Sequence, residues 1–436
     1  MSKIYGIDLG TTNSLLCDGT KSLTGLVPSI ASIEKHRAGE ALRTDLSAER
    51  SFKINMSLGM EGKLPIAASR LVLEELKIQS GVDVKRVVIS VPAYFTDNQR
   101  RATIEASTQA GMEVVDLINE PTAAAIYLSS QKKGLSVVYD LGGGTFDVSV
   151  IDSRFGNYDV IATDGRVVGG DNFDIAIMRH FIKGANLNIL HLSKEQKAGL
   201  KELSCESKVR MQKEQTDIEV DLSPYGAGVF TFKEAVYIEI ERMVFACTIS
   251  LMRNLFHAQN IQNDNYEILL VGGSTRCPYL RQWIADEFHK DPVELFYDPD
   301  YAVALGAGLY AQMVENGEAE LQVSDVVRAL SVEMADGTLR NIIPQDSKIP
   351  IEEEVVMYNS DASQFLRVNL YQGNSSVKSS CECIGTLVYD YQEVKAQNTA
   401  PVIISVSVES NGIINLTCKE PLKEGVTISL DRGTTK

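Results

Sequence analysis

Two short segments, Ile7–Ser14 (IDLGTTNS) and Val138–Asp147 (VYDLGGGTFD), constrain this chain more than any other feature. Each is an apolar strand that reaches an Asp and breaks into a glycine turn followed by hydroxyl residues. Glycine lets backbone N–H groups approach anionic oxygens, threonine adds hydroxyl donors, and the aspartate can hold a hydrated cation. A single DLGT is an ordinary turn after a strand. Two copies about 130 residues apart predict two similar lobes, each offering one loop to a polyphosphate held between them.

A third apolar run, Ile268–Pro278 (ILLVGGSTRCP), breaks into Gly272 and Gly273 and then Ser274, Thr275 and Arg276. Paired glycines permit close backbone approach to a flat ring or sugar, and a guanidinium can stack on a base. By itself this segment is only a loop.

Composition narrows the class. A chain of 436 residues with 44% hydrophobic content supports roughly two or three domains with sizeable cores. Its net charge of -16 argues against a nucleic-acid role, which needs a basic face. The start, MSKIYGIDLG, runs directly into the first phosphate strand, and no apolar stretch has transmembrane length, so a cytoplasmic location is the expectation. Cys17, Cys205, Cys247, Cys277 and Cys418 are scattered singly and read as reduced core thiols. Cys381 and Cys383 form a CxC with no second ligand pair nearby, so no metal is expected there.

Periodicity organises the rest. A strand is expected over Val87–Phe95, a helix from about Thr96 to Ala110 with Asp97 near its start, a charged helix over Ser193–Glu214, and a closing helix around Ala302–Met313. A second lobe is expected from near Leu135. Asn316–Ser324 reads as a polar link. After it, Leu366–Tyr371, Val402–Val408 and Ile413–Cys418 alternate or are β-branched between turn residues, an all-β sandwich signature, and SNGIIN at Ser410–Asn415 fits a hairpin turn.

In this order, IDLGTTNS, INEPTAAA, DLGGGTFD, VGGDNFD and ILLVGGSTR resemble the Hsp70 family of ATP-driven chaperones, within the actin-like ATPase superfamily, from Lys3 to about Thr427. The resemblance implies an α/β two-lobed actin-like ATPase domain over 1–315, a linker over 316–324, and an all-β sandwich that binds peptide over 325–436. In the family a helical lid follows the sandwich; this chain stops at Lys436, so the expectation is that the lid is missing.

The resemblance also implies site roles. Asp8 and Asp140 match the paired carboxylates that hold magnesium through water, Gly10, Thr11, Thr12 and Asn13 the first phosphate loop, and Gly142, Gly143, Gly144 and Thr145 the second, with Thr145 toward the γ-phosphate. Lys53, in SFKIN, matches the lysine that helps place the attacking water and offsets transition-state charge. Glu120 and Asp147 complete the polar set around water and metal, and Gly169 and Gly170 belong to the next phosphate-proximal turn. Lys208, Gly272, Gly273, Ser274 and Arg276 match the adenosine end of an ATP or ADP site, and Asp300 an acidic residue near the end of the ATPase. Pro92 and Arg100 match a relay between nucleotide state and the peptide domain, although a proline there also simply ends a strand. Leu339, Val356, Leu366 and Val368 match peptide-groove positions, whereas alternation alone reads such residues as sandwich core.

Several departures bear on mechanism. Cys205 stands where the family usually has Glu and Gln212 where it has Ser, so adenosine hydrogen bonding is expected to be altered. The segment between Pro28 and Phe52 is much shorter than usual, which reduces that sub-lobe and its partner surfaces. Asp116 occupies a commonly basic position for docking J-domain cochaperones, while Asp325 keeps the acidic residue after the linker. The linker ends in Leu321–Ser324, LQVS, an alternating segment that buries one side only, so weaker interdomain coupling is expected.

These features imply an ATP hydrolase that controls binding of extended apolar polypeptide. J-domain and exchange-factor partners are in question, and neither nucleic acid nor membrane is a partner. The competing reading is an ATP-gated interaction module or cochaperone with little hydrolysis and one dedicated partner. A small-molecule kinase of the same superfamily would share the phosphate loops, but the C-terminal β domain and NEPTAAA disfavour it.

Overall fold

The structure is a computed structural model that describes residues 2–43, 45, 47–57, 62–129, 133–261, 265–293, 299–319, 323–373, 375, 377–421, 425–428 and 430. The expected internal repeat appears as sheet topology. In a five-stranded sheet, Ile4–Leu9 forms an antiparallel hairpin with Asn13–Cys17 and lies parallel to Arg86–Val91. In a six-stranded sheet, Leu135–Leu141 forms an antiparallel hairpin with Phe146–Asp152 and lies parallel to Tyr266–Val271. Each Asp-Gly turn is therefore the tip of a hairpin, aimed by the same arrangement of neighbouring strands.

Helices Glu120–Ser129 and Ala302–Asn316 join the two sheets. One apolar cluster unites Ile4, Leu15 and Val88 of the first sheet with Val138, Val160 and Leu269 of the second, through Ala123–Leu128 and Ala302–Ala311. The approach is close because the residues are small: a Cβ on Gly306 would lie 1.7 Å from the Ala123 carbonyl oxygen, and one on Gly6 2.1 Å from the Gly308 nitrogen. This alanine- and glycine-rich packing fixes the two hairpin tips relative to each other.

Local chemistry explains the element ends. Thr96 caps the helix Asp97–Gln109, its N–H bonding Gln99 Oε1 at 3.0 Å, and Ser193 caps Lys194–Glu214 with a reciprocal Ser193–Gln196 pair. The strand expected to run to Phe95 stops at Val91, because Pro92 has no N–H for the ladder. Gly412, with φ at +78°, turns Pro401–Val408 into Ile414–Lys419.

The C-terminal residues form two four-stranded sheets. One orders Leu339–Ile343, Leu330–Glu333, Ser363–Gln372 and Glu382–Lys395; the other orders Ile351–Tyr358, Pro401–Val408, Ile414–Lys419 and Val426–Thr427. Val332, Leu366, Val368 and Leu387 from the first meet Val355, Ile404, Val406 and Leu416 from the second in one buried cluster.

The link departs from expectation. Residues 320–322 lie outside those described, but Val323–Val327 is a strand that pairs parallel with Tyr158–Arg166 and antiparallel with Ser347–Ile349. The boundary expected between 324 and 325 thus falls within a strand of the six-stranded sheet. Among the described residues no helix is long and apolar enough to cross a membrane.

Candidate functional site

The two hairpin tips face each other across a cleft of about 890 Å³. Asp8, Gly10, Thr11, Thr12 and Asn13 line one side, and Asp140, Gly142, Gly143 and Thr145 the other. The tips are in contact. A Cβ on Gly143 would stand 2.1 Å from Thr12 Oγ1, and one on Gly144 2.5 Å from Ile54 Cγ2. The turn Gly169–Gly170 stacks beneath the second tip: Gly170 N–H donates to the Gly142 carbonyl at 3.0 Å and Asp171 N–H to the Gly143 carbonyl at 2.8 Å. The 15-residue helix Gly170–Gly184 begins there and turns its N-terminus toward the cleft.

Charge is concentrated at this end. Lys53 is 3% exposed in the short turn Phe52–Asn55, and its Nζ donates to Glu120 Oε1 at 2.5 Å. Burial, then the Glu120 carboxylate, pushes Asp8 up to about 7, with Lys53 and the Ser90 hydroxyl partly opposing. Asp147 is pushed up to about 7 by burial and then Glu120, and Asp140 goes well above the usual range by burial, then Glu120, Asp147 and Asp8. Asp147 Oδ1 accepts the Tyr94 N–H at 2.9 Å, while Oδ2 is buried with no hydrogen-bond partner. Carboxylates crowded around one lysine, with one oxygen left unpaired, fit a hard divalent cation. Among the described residues no three His, Cys, Asp or Glu side chains converge as a direct cage.

The opposite end of the cleft comes from other elements. Cys205, Lys208, Val209 and Gln212 lie on one face of the helix Lys194–Glu214 and line the cleft. Lys208 Nζ is 2.7 Å from Asp174 Oδ1; burial opposes the lysine's charge, but Asp174, with Cys205 and Asp171, leaves its pKa raised. Gly272 takes φ at +83°, where a Cβ would meet the Leu141 carbonyl oxygen at 2.5 Å. Gly273 faces Asp300, Ser274 Oγ donates to the Gly142 carbonyl at 2.9 Å, and Arg276 pairs with Asp300 at 2.8 Å. Cys205 is thus a half-buried cleft thiol rather than a core one, and burial holds it neutral by raising its pKa to about 11.

All the expected nucleotide residues, from Asp8 to Asp300, meet on this cleft or against its walls. Sequence reasoning missed its mouth. Ser51 Oγ bonds Asp171, and Lys201 Nζ is 3.0 Å from Asp171 Oδ1, so residues about 120 positions apart face each other there. Spacing carries no signal for such a contact.

Pro92 and Arg100 sit where the C-terminal sheets dock. Arg100, 6% exposed, donates to Asn119 Oδ1 at 2.6 Å and to the Asn411 carbonyl at 3.1 Å; Arg101 donates to the Ile414 carbonyl at 2.6 Å. Pro92 opens the turn in which Phe95 N–H returns to its carbonyl. Asp325 is buried and accepts from Asn119 Nδ2 at 2.8 Å and Thr122 Oγ1 at 3.1 Å. Asp116 is half-buried and accepts the Tyr310 hydroxyl at 2.8 Å. The four groove candidates do not share a surface. Leu366 and Val368 point into the sheet core, where alternation alone would place them, whereas Leu339 is half-buried and Val356 exposed.

Comparison with known proteins agrees with this geometry. The Hsp70 protein family model matches residues 44–433. The chain is 32% identical to the chaperone protein DnaK of Thermosipho africanus and 30% identical to that of Thermotoga maritima, each over 96% of this chain and 78% of the relative. It is 29% identical to the HscA homolog of Haemophilus influenzae over 95% of this chain and 75% of the relative. Matched over nearly its whole length, and carrying paired Asp-Gly hairpin tips across one cleft, the chain belongs to the Hsp70 family of chaperones.

Proposed function

We propose that this chaperone binds ATP in the cleft, hydrolyses it slowly, and uses the nucleotide state to change how its C-terminal sheets hold extended apolar peptide. In this reading 1–315 is a two-lobed actin-like ATPase domain with one hairpin-centred sheet per lobe, 316–324 connects, and 325–436 is a β-sandwich. The observation that carries it is the opposition of the tips Asp8–Asn13 and Asp140–Thr145 over a carboxylate cluster tied to Lys53.

Each residue then has a task. Backbone N–H groups and hydroxyls of Thr11, Thr12, Gly142–Gly144 and Thr145 hold the phosphates. Lys53 offsets the charge that develops on the γ-phosphoryl group, while Glu120 and Asp147 orient the attacking water. Asp8 and Asp140 would hold a magnesium ion through water, and that ion would supply charge neutralisation for the phosphates. Lys208, Gly272–Ser274 and Arg276 bracket the adenosine, with the neutral Cys205 a weak partner for sugar hydroxyls. Pro92 and Arg100 link the cleft to the C-terminal sheets, and Val356 and Leu339 keep accessible surface for peptide.

One observation favours the second reading, a dedicated interaction module. The C-terminal sheets are fastened to helix Asp97–Gln109 by Arg100, Arg101 and Asp97, whose Oδ1 accepts the Ile414 N–H at 2.9 Å. Dissociation of a labelled apolar peptide under Mg-ATP and Mg-ADP separates the two. The chaperone cycle predicts faster release with ATP; equal rates favour the module.

A further inference from the structure

Arg328 lies between the strands Val323–Val327 and Leu330–Glu333, where the chain leaves the six-stranded sheet for the C-terminal sheets. It is 6% exposed. Its Nη1 donates to the Tyr94 carbonyl at 2.8 Å, and the guanidinium lies 3.8 Å from the Tyr94 ring centroid. Nε is buried without a hydrogen-bond partner. A buried guanidinium with an unmet donor is costly, so its surroundings must compensate. They do so through Tyr94 and through the negative fields of Asp147 and Glu382, against the like charge of Arg100.

On its amide side Tyr94 meets the buried carboxylates behind the cleft wall. Its N–H is the donor to Asp147 Oδ1. Gly165, the strand partner of Asp147, leaves room for this contact: a Cβ there would stand 2.8 Å from Asp147 Oδ1 and 3.1 Å from Tyr94 Cβ. One residue thus accepts a hydrogen bond from the C-terminal segment at its carbonyl and gives one to the buried Asp147 carboxylate at its amide.

We propose that Arg328 is a positioning residue for hydrolysis: by holding the Tyr94 backbone and ring, it fixes where the Asp147 carboxylate stands against the cleft wall. The proposal rests on the ATPase reading above. Arg328 is not among the residues that line the cleft, so it acts through Tyr94. Arg328 belongs to no motif, and sequence reasoning gave no sign of it.

The test is single-turnover hydrolysis over a range of ATP concentrations for full-length wild type, Arg328→Met, Arg328→Lys and Lys53→Ala. Arg328→Met should lower the rate at saturating ATP roughly 10- to 100-fold, the scale of a small displacement at a reacting centre, with half-saturation changed less than about threefold because ground-state binding is untouched. Arg328→Lys, which keeps a donor and a buried charge, should recover much of the rate. Wild-type turnover in Arg328→Met beside an inactive Lys53→Ala would overturn the positioning role and leave the ATPase reading intact. Equal losses of rate and ATP affinity in both Arg328 variants would also overturn it, by making the role one of folding. Unchanged turnover in Lys53→Ala would remove the reading on which the proposal rests.

Discussion

Gly143 and Thr12 touch across the cleft so closely that a Cβ on the glycine would stand 2.1 Å from the threonine Oγ1. A side chain on Gly143 would have to displace the Thr12 side chain or separate the two phosphate loops. Gly143→Ala should therefore weaken ATP binding roughly 10- to 100-fold, with circular dichroism unchanged. Titration with a fluorescent ATP analogue checks this; undiminished affinity would mean that the tips do not jointly grip phosphate.

Gly306 gives a prediction about stability rather than binding. A Cβ there would meet the Ala123 carbonyl oxygen at 1.7 Å, in the helix pair that joins the two main sheets. Backbone cannot yield as a flexible side chain can, so Gly306→Ala should cost about 1–3 kcal/mol or more through overpacking. Urea denaturation measures the loss, and an unchanged midpoint would contradict the close helix contact.

The pH dependence of stability has a component outside the cleft. Glu241 is buried beside Cys277, whose thiol donates to Oε2 at 2.5 Å. Burial pushes its carboxyl up to about 7, only partly opposed by hydrogen bonds from Cys277 and Tyr237. A carboxyl with a raised folded pKa contributes stability that is complete below its unfolded value near 4.5 and is lost as pH rises through 7. Glu241→Gln should remove up to about 3 kcal/mol of that decline. Denaturation midpoints at pH 5 and pH 8 show the effect as a flatter slope than wild type; parallel slopes would exclude a buried, protonated Glu241.

Arg100 joins Asn119 to the Asn411 carbonyl. Arg100→Ala leaves the buried Asn119 and the half-buried Asn411 carbonyl without their donor, a cost of about 1–3 kcal/mol, and loosens the docked hairpin turn. Amide hydrogen exchange at residues 410–414 should accelerate in the variant while exchange in helix Ala302–Asn316 stays slow. Uniform acceleration across both would instead indicate global destabilisation.

Much of this structure was legible in the sequence, for identifiable physical reasons. The two Asp-Gly turns and the Gly272–Arg276 loop are local patterns, and local chemistry dictates their backbone. The helices after Thr96 and Ser193 were expected, and their caps are likewise set within four residues. What escaped depends on contacts distant in sequence. The Val323–Val327 strand forms because Tyr158–Arg166 offers it an edge, which a polar-looking link does not announce. Cys205 reads as a core thiol from its isolated spacing, and only the resemblance put it near the adenosine; its helix face lines the cleft. Arg328 and Tyr94, 234 positions apart, meet only in the folded chain. Leu366 and Val368 show the reverse: resemblance pointed to a groove, while plain alternation pointed to the core that they occupy.

The account turns on whether the cleft hydrolyses ATP through the Lys53–Glu120 pair. Single-turnover hydrolysis with Mg²⁺ in wild type and Lys53→Ala tests it most directly. The prediction is slow wild-type turnover and a loss of about 10²- to 10³-fold in the variant, the scale for removing one preorganised electrostatic group, with ATP still bound. Equal rates in the two proteins would contradict the catalytic assignment, and tight ATP binding without turnover in wild type would make the chain a nucleotide-gated interaction module.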